Sequence, residues 1–66
     1  MRLTVNGEAR EVADGTSLVA LLEQLGLPVR SVVVEHNGTA LVPSELAEVR
    51  LADGDVLELV RAVAGG

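Results

Sequence analysis

The sequence predicts an α+β domain in which one main helix packs on a β-sheet. One stretch of the chain has leucines at helical spacing, and several short stretches have the alternating or β-branched residues of strands. Turn dipeptides that contain glycine separate these stretches. Because a chain of 66 residues is large enough for only one core, the helix and the strands belong to the same domain.

The composition predicts a small core without covalent or metal cross-links. Hydrophobic residues make up 48% of the chain, and aromatic residues and cysteine are absent, so the core consists of Leu, Val and Ala. Without cysteine, neither disulfides nor thiolate zinc sites are expected. The first residues lack the pattern of a signal peptide, and no apolar run reaches the roughly 18 residues of a membrane span. We therefore expect a cytoplasmic protein without a membrane partner.

The charge argues against nucleic acid as a partner. Ten acidic residues against five basic ones give a net charge of -5, which repels phosphate backbones and favours basic protein surfaces. All five basic residues are arginines. The chain therefore offers no lysine for a Schiff base or an isopeptide bond.

The first two strands are predicted as a hairpin. Leu3 and Val5 alternate with polar residues, the dipeptide Asn6-Gly7 favours the positive φ angles of a tight turn, and residues 8–12 form the returning strand.

A helix follows the next turn signal, Asp14-Gly15. Thr16 or Ser17 can cap its first backbone amides, and Gly26 ends it near Leu25. The helix presents one apolar stripe to the core. This stripe consists of Leu18, Leu21, Leu22 and Leu25.

The middle of the chain predicts a pair of strands and a helical turn. Residues 31–36 contain three consecutive valines and predict a buried strand, which Asn37-Gly38 ends with a turn. Leu41 and Val42 form a short strand, and residues 44–46 after Pro43 form one helical turn.

The last strand covers residues 56–61, after a tight turn at residues 53–55. If Leu57 and Leu59 face the core, alternation places Val56, Glu58 and Val60 together on the opposite side of the sheet. Exposed valines there require either a docking partner or a helix or loop that covers them. Both interpretations are open.

No internal group of residues predicts catalysis or metal binding. Asp53, Asp55 and Glu58 lack the ligand spacing of a calcium loop. His36 is the only histidine and has no His or Cys partner for zinc. The hydroxyl side chains lie beside turns and helix starts, where capping explains them better than nucleophilic chemistry.

The end of the sequence contains the candidate reactive group. We expect residues 1–61 to form the domain and residues 62–66 to form a flexible tail. Val63, Ala64 and Gly65 are slim enough to enter a narrow channel of another protein, and the carboxylate of Gly66 is open to attack because glycine has no Cβ. Gly-Gly alone favours a frayed end, but its position directly after a final strand favours the threading interpretation.

Three segments appear in an order and spacing typical of one family: Asn37-Gly38 through Pro43, Asp53-Gly54-Asp55, and Val60 through Gly66. With them, the whole chain resembles the ThiS-type sulfur carriers of thiamin biosynthesis. The chain departs from many relatives at Leu46, where an aromatic residue is frequent. The resemblance implies the ubiquitin-like beta-grasp fold, with a mixed sheet of about five strands packed on one main helix.

The resemblance implies a carrier and not an enzyme. A ThiF-like adenylating enzyme would use ATP and magnesium to form an acyl-adenylate on Gly66. Sulfur from a cysteine-derived persulfide would then displace AMP and leave a thiocarboxylate. A ThiG-like thiazole synthase would take this sulfur into the thiazole ring of thiamin, and the carrier itself would bind no cofactor.

Other roles remain open for the same fold. Related carriers serve molybdopterin, tRNA thiolation or cysteine synthesis, although the molybdopterin type usually has prolines before its glycines and residues 61–64 contain none. A ubiquitin-like modifier of target lysines would use the same terminus. A non-covalent interaction domain would leave the tail inert.

Overall fold

The computed structural model describes residues 1–61. The predicted tail, with Val63, Ala64, Gly65 and Gly66, lies outside the described residues. The elements follow in the order β1 (Arg2–Val5), β2 (Glu8–Glu11), α1 (Leu18–Gln24), a 3-10 turn (Val29–Ser31), β3 (Val32–His36), β4 (Thr39–Leu41), α2 (Pro43–Leu46) and β5 (Val56–Arg61).

The strands form one five-stranded sheet in the order β2-β1-β5-β3-β4. The pair β1 and β5 is parallel, whereas the other neighbours are antiparallel. A mixed sheet with one main helix on one side is the ubiquitin-like beta-grasp arrangement that the sequence predicts. Its last strand, β5, lies in the centre of the sheet, between β1 and β3.

The two Asn-Gly dipeptides form the turns that they predict. Asn6 and Asn37 both have φ of 50°, and the glycines that follow have φ of 81° and 86°. Two successive residues with positive φ form the turn that is typical of two-residue hairpins, because its twist matches the right-handed twist of the two strands that it joins. These turns connect β1 with β2 and β3 with β4.

The main helix begins and ends where the sequence predicts. The Ser17 hydroxyl accepts a hydrogen bond from the amide of Ala20 at 3.1 Å and is the N-cap, whereas the Thr16 hydroxyl donates to the carbonyl of Ala13 at 2.6 Å. Leu25 is the C-cap, and Gly26 has φ of 71°. None of the helices within residues 1–61 is long and apolar enough to cross a membrane.

Four boundaries differ from the prediction by one residue. β2 ends at Glu11 and not at residue 12, and α2 begins at Pro43 and not at residue 44. The strand predicted over residues 31–36 begins at Val32, because Val29–Ser31 forms a 3-10 turn. Val42 lies after β4 and not within it: its amide donates to Oε1 of Glu45 at 2.8 Å, and its carbonyl accepts from the amide of Glu45 at 2.9 Å. These bonds start α2 instead of extending the strand.

The core lies between α1 and one face of the sheet. Within residues 1–61 its buried hydrophobic residues are leucines and valines, whereas alanine, which the composition also predicts, is not among them. α2 closes the core with Leu46. The buried hydrophobic residues are Leu3, Val5, Leu18, Leu21, Leu22, Val32, Val34, Leu46, Leu51, Leu57 and Leu59.

Candidate functional site

The candidate site is the end of β5 together with the side of the sheet that faces away from α1. β5 pairs with β3 from Leu57 to Arg61 and with β1 only through Val56 and Leu57. Arg61 is the last described residue, so β5 leads directly into the predicted tail.

Asn6 extends the support of β5 beyond the end of β1. Its backbone amide donates to the carbonyl of Leu57 at 2.9 Å. Its side chain then takes the place of a further strand residue: Oδ1 accepts from the amide of Leu59 at 2.7 Å, and Nδ2 donates to the carbonyl of Leu59 at 3.1 Å. The sequence indicates Asn6 only as a turn residue, and no local signal connects it with Leu59.

A buried carboxylate holds the start of β5. Asp55 is 9% exposed. Its Oδ2 lies 2.8 Å from Nε2 of His36 and accepts from the amide of Ala52 at 2.9 Å, and its Oδ1 accepts from Nδ2 of Asn37 at 3.0 Å. Oδ1 of Asn37 in turn accepts from the amide of Val56 at 2.8 Å. The β3–β4 turn is thereby fastened to the first residues of β5.

The same contacts determine the charge state of Asp55. Burial by itself raises the pKa of this carboxyl, because it disfavours the ionised form. The hydrogen bonds from His36, Ala52 and Asn37 outweigh burial and hold the pKa of Asp55 below its ordinary value. Asp55 is thus an ionised structural anchor, a role that the predicted turn at residues 53–55 does not indicate.

The side of the sheet away from α1 is exposed along β5. Leu57 and Leu59 are buried, at 0% and 7% exposure, whereas Val56 and Val60 are 44% and 61% exposed. Glu58 lies between these valines and is also exposed. No helix or loop within residues 1–61 covers them, so the predicted alternation leaves the three side chains at the surface of the described part of the chain.

β3 adds two residues to this surface. Val33 lies opposite Val60 in the register, and Glu35 lies opposite Glu58. Both are exposed, because alternation in β3 buries Val32 and Val34 instead. We call the five residues Val33, Glu35, Val56, Glu58 and Val60 the open face. The sequence predicts residues 31–36 as a buried strand and misses the contribution of β3, because three consecutive valines show no alternation between two faces.

The other candidates considered in the sequence do not converge on a site. Asp53 accepts from the amide of Arg2 at 2.6 Å, Asp55 is occupied by its three donors, and Glu58 lies on the open face. His36 contacts Asp55 and not a set of metal ligands. Over residues 1–61, no three His, Cys, Asp or Glu side chains are grouped in a way that could hold a metal ion.

Two shallow concavities lie away from the open face. One of about 400 Å³ lies between the β1–β2 hairpin and the end of α1, and one of about 550 Å³ lies between the start of α1 and residues 47–51. Neither is lined by Val56, Glu58 or Val60. These two concavities therefore do not reach the open face, although Asn6 and Leu59 line the first of them.

Comparisons with known proteins agree with the fold. The crystal structure of the thiamine biosynthesis protein ThiS from Geobacter metallireducens has a TM-score of 0.84 and 33% identity, and the match covers 100% of both chains. The sulfur carrier protein ThiS of Thermus thermophilus is 37% identical over 62 residues, which cover 94% of this chain and 95% of the relative.

A second kind of relative is much longer than this chain. The thiazole synthase of Paramagnetospirillum magneticum is 41% identical over 66 residues, and that of Magnetococcus marinus is 33% identical over 66 residues. Each match covers 100% of this chain but only 20% of the relative, so the chain spans a fifth of the length of these proteins. The model of the ThiS family matches residues 3–66. With almost the whole chain matched, the protein belongs to the ThiS family.

Proposed function

We propose that this protein is a sulfur carrier of thiamin biosynthesis that holds sulfur as a thiocarboxylate on Gly66 and donates it for the thiazole ring. Membership of the ThiS family supports sulfur carriage, and the full-length similarity to the Thermus thermophilus sulfur carrier supports it further.

The observation that carries the proposal is the placement of β5. This central strand supplies the exposed residues Val56, Glu58 and Val60, and it ends one residue later at Arg61. A partner that covers the open face would therefore have the start of the tail beside it. A narrow channel in that partner could then admit Val63, Ala64 and Gly65 and bring Gly66 to its reactive centre.

The loading steps follow from carboxylate chemistry. A carboxylate is a poor acyl donor, so an adenylating enzyme with ATP and magnesium would join the Gly66 carboxylate to the α-phosphate and release pyrophosphate. A persulfide sulfur would attack the acyl carbon and expel AMP, which gives an acyl disulfide. A thiol reductant would then cleave the sulfur–sulfur bond, leaving the thiocarboxylate and a disulfide.

The delivery step requires a thiazole synthase as partner. Two relatives of this chain carry the name thiazole synthase and contain a matching segment within a longer chain. Such a segment stays close to the rest of its chain, which raises the effective concentration of one part for the other. This arrangement supports a thiazole synthase as the acceptor of the sulfur.

Mass spectrometry of the protein purified from its native cell tests the proposal. We expect a fraction in which one terminal oxygen is replaced by sulfur, and the same spectrum tests whether Gly66 carries a free carboxylate. Oxidation of Met1 adds nearly the same mass, so the shift must map to the C-terminal peptide and react with a thiol-directed alkylator.

Reconstitution supplies the second part of this test. An adenylating enzyme, ATP, magnesium and a persulfide donor should convert Gly66 to the thiocarboxylate, and thiazole synthase should return it to the carboxylate. Absence of both adenylate and thiocarboxylate would contradict the proposal. Recovery of Gly66 in amide linkage to other proteins would identify a protein modifier instead.

A further inference from the structure

Two acidic residues are directly opposite each other in the register at the centre of the open face. Glu35 of β3 and Glu58 of β5 are partners in the antiparallel register, and both are exposed. The carbonyl of Val56 accepts from the amide of Asn37 in the direction of β3. By alternation, the backbone N–H and C=O groups of Glu58 and Val60 also point towards β3. Glu35 and Glu58 are therefore a cross-strand pair in which the backbone groups, and not the carboxylates, are hydrogen-bonded.

The charge of this pair is not balanced within residues 1–61. The ion pairs in this part of the chain join the Met1 amino group to Asp14, Arg2 to Glu11, and His36 to Asp55. Neither Glu35 nor Glu58 takes part. Like charges directly opposite each other weaken strand pairing, so the arrangement costs stability in the isolated protein.

Apolar side chains lie on both sides of the acidic pair along the strands. Val33 and Val60 form the next cross-strand pair towards the tail, and Val56 lies on the other side of Glu58. An exposed apolar surface with a charged centre matches a protein surface of the opposite charge, not a lipid or a nucleic acid, which the acidic charge repels.

We propose that the open face docks thiazole synthase through one cationic side chain of that partner, which binds between Glu35 and Glu58 while apolar groups cover Val33, Val56 and Val60. This inference rests on the proposed function. An arginine suits the site best, because its planar guanidinium can donate to two carboxylates at once. The bound cation removes the repulsion that the free protein carries.

The proposal predicts opposite effects on stability and on binding. Neutralising Glu35 or Glu58 removes a repulsion in the free protein, so the urea midpoint stays equal or rises. The same change removes a charge partner from the complex, so binding weakens. A residue that acts only through the fold would move both quantities in the same direction.

Binding of the full chain to purified thiazole synthase from the same organism tests this, by calorimetry at two salt concentrations. Glu35→Gln and Glu58→Gln should each weaken binding about tenfold and reduce its dependence on salt. Glu23→Gln is the matched control, since Glu23 is an exposed acid on α1 and its loss changes the net charge equally. It should bind within about twofold of the unmodified protein.

The outcomes separate this inference from the function on which it rests. If both Gln variants bind like Glu23→Gln, or if the unmodified protein does not bind, the docking proposal is wrong. If the unmodified protein binds and the Gln variants do not, but no sulfur is transferred, docking stands and the carrier function fails. If sulfur is transferred equally by all variants at low carrier concentration, the function stands and the acidic pair has no role in docking.

Discussion

Asn6 and Leu59 are joined by two hydrogen bonds, at 2.7 Å to the side-chain oxygen and 3.1 Å from the side-chain nitrogen. They are 53 residues apart in the chain. Through these bonds a turn residue of the first hairpin continues the support of the central strand after β1 has ended. On the side of β5 opposite β3, one amide side chain thus supports the strand at Leu59.

Replacing Asn6 should loosen the end of β5. Asn6→Gly keeps the positive φ but removes both side-chain bonds, so we expect a loss of about 1–3 kcal/mol in the free energy of unfolding. Asn6→Ala should lose about 1 kcal/mol more, because alanine disfavours this backbone conformation. Urea unfolding measures both losses. Amide exchange should quicken at Leu59 more than at Val34, and equal protection of the two amides in Asn6→Gly would contradict this role.

Asp55 should make the stability depend on pH in the acid range. Its pKa is lower in the folded protein than the unfolded value of about 3.9. The ionised carboxylate therefore stabilises the fold above about pH 4, and this contribution is lost as the pH falls through the folded pKa. Urea midpoints measured between about pH 7 and pH 3 should fall in the unmodified protein.

Asp55→Asn isolates this contribution. The amide cannot accept from all three donors, so we expect a loss of about 1–3 kcal/mol at neutral pH and a smaller fall in stability on acidification. Glu23→Gln, which removes an exposed acid on α1, should leave the acid transition as it is. An acid transition that is the same in Asp55→Asn and in the unmodified protein would show that other groups cause it.

The start of α1 distinguishes two neighbouring hydroxyls. Ser17→Ala removes the bond to the amide of Ala20 and should cost about 1 kcal/mol. Thr16→Ala removes a bond to the carbonyl of Ala13 at an exposed site outside the helix, and it should cost less. Thermal unfolding of the two variants measures the difference. Equal losses would mean that Ser17 is not the effective cap.

Gly66 should be essential for loading but not for folding. Gly66→Leu adds a side chain beside the carboxylate, so we expect unchanged unfolding and loss of adenylate formation in the reconstituted reaction. Val63→Ala is the control, because it makes the tail slimmer and should load normally. Loading of Gly66→Leu at the normal rate would contradict the narrow-channel interpretation.

Local chemistry accounts for the elements that the sequence predicts correctly. The Asn-Gly dipeptides adopt positive φ, Ser17 caps a helix, and the leucine spacing defines its buried side. The boundary errors at Ser31 and Val42 also have local causes: a 3-10 turn occupies the first, and a bond to Glu45 draws the second towards α2. Such alternatives differ little in a sequence pattern and are chosen by packing.

The candidate site was predictable only in part. Alternation along residues 56–61 predicts that Val56, Glu58 and Val60 share one face, since the period of a strand is two residues. The pairing of Glu58 with Glu35 depends on which strand lies beside β5 and in which register, and neither is a property of a short segment. The anchor at Asp55 was missed for the same reason, because His36 and Asn37 reach it from another strand and turn.

The sequence by itself determined the class of fold, the hairpins and the helix, the aliphatic composition of the core and the family, because these depend on residue type and on spacing along the chain. Only the tertiary structure decided that β5 lies between β1 and β3, that Asn6 supports Leu59, and that Glu35 meets Glu58. Each of these joins distant parts of the chain, and such contacts form only when the whole core closes and brings them together.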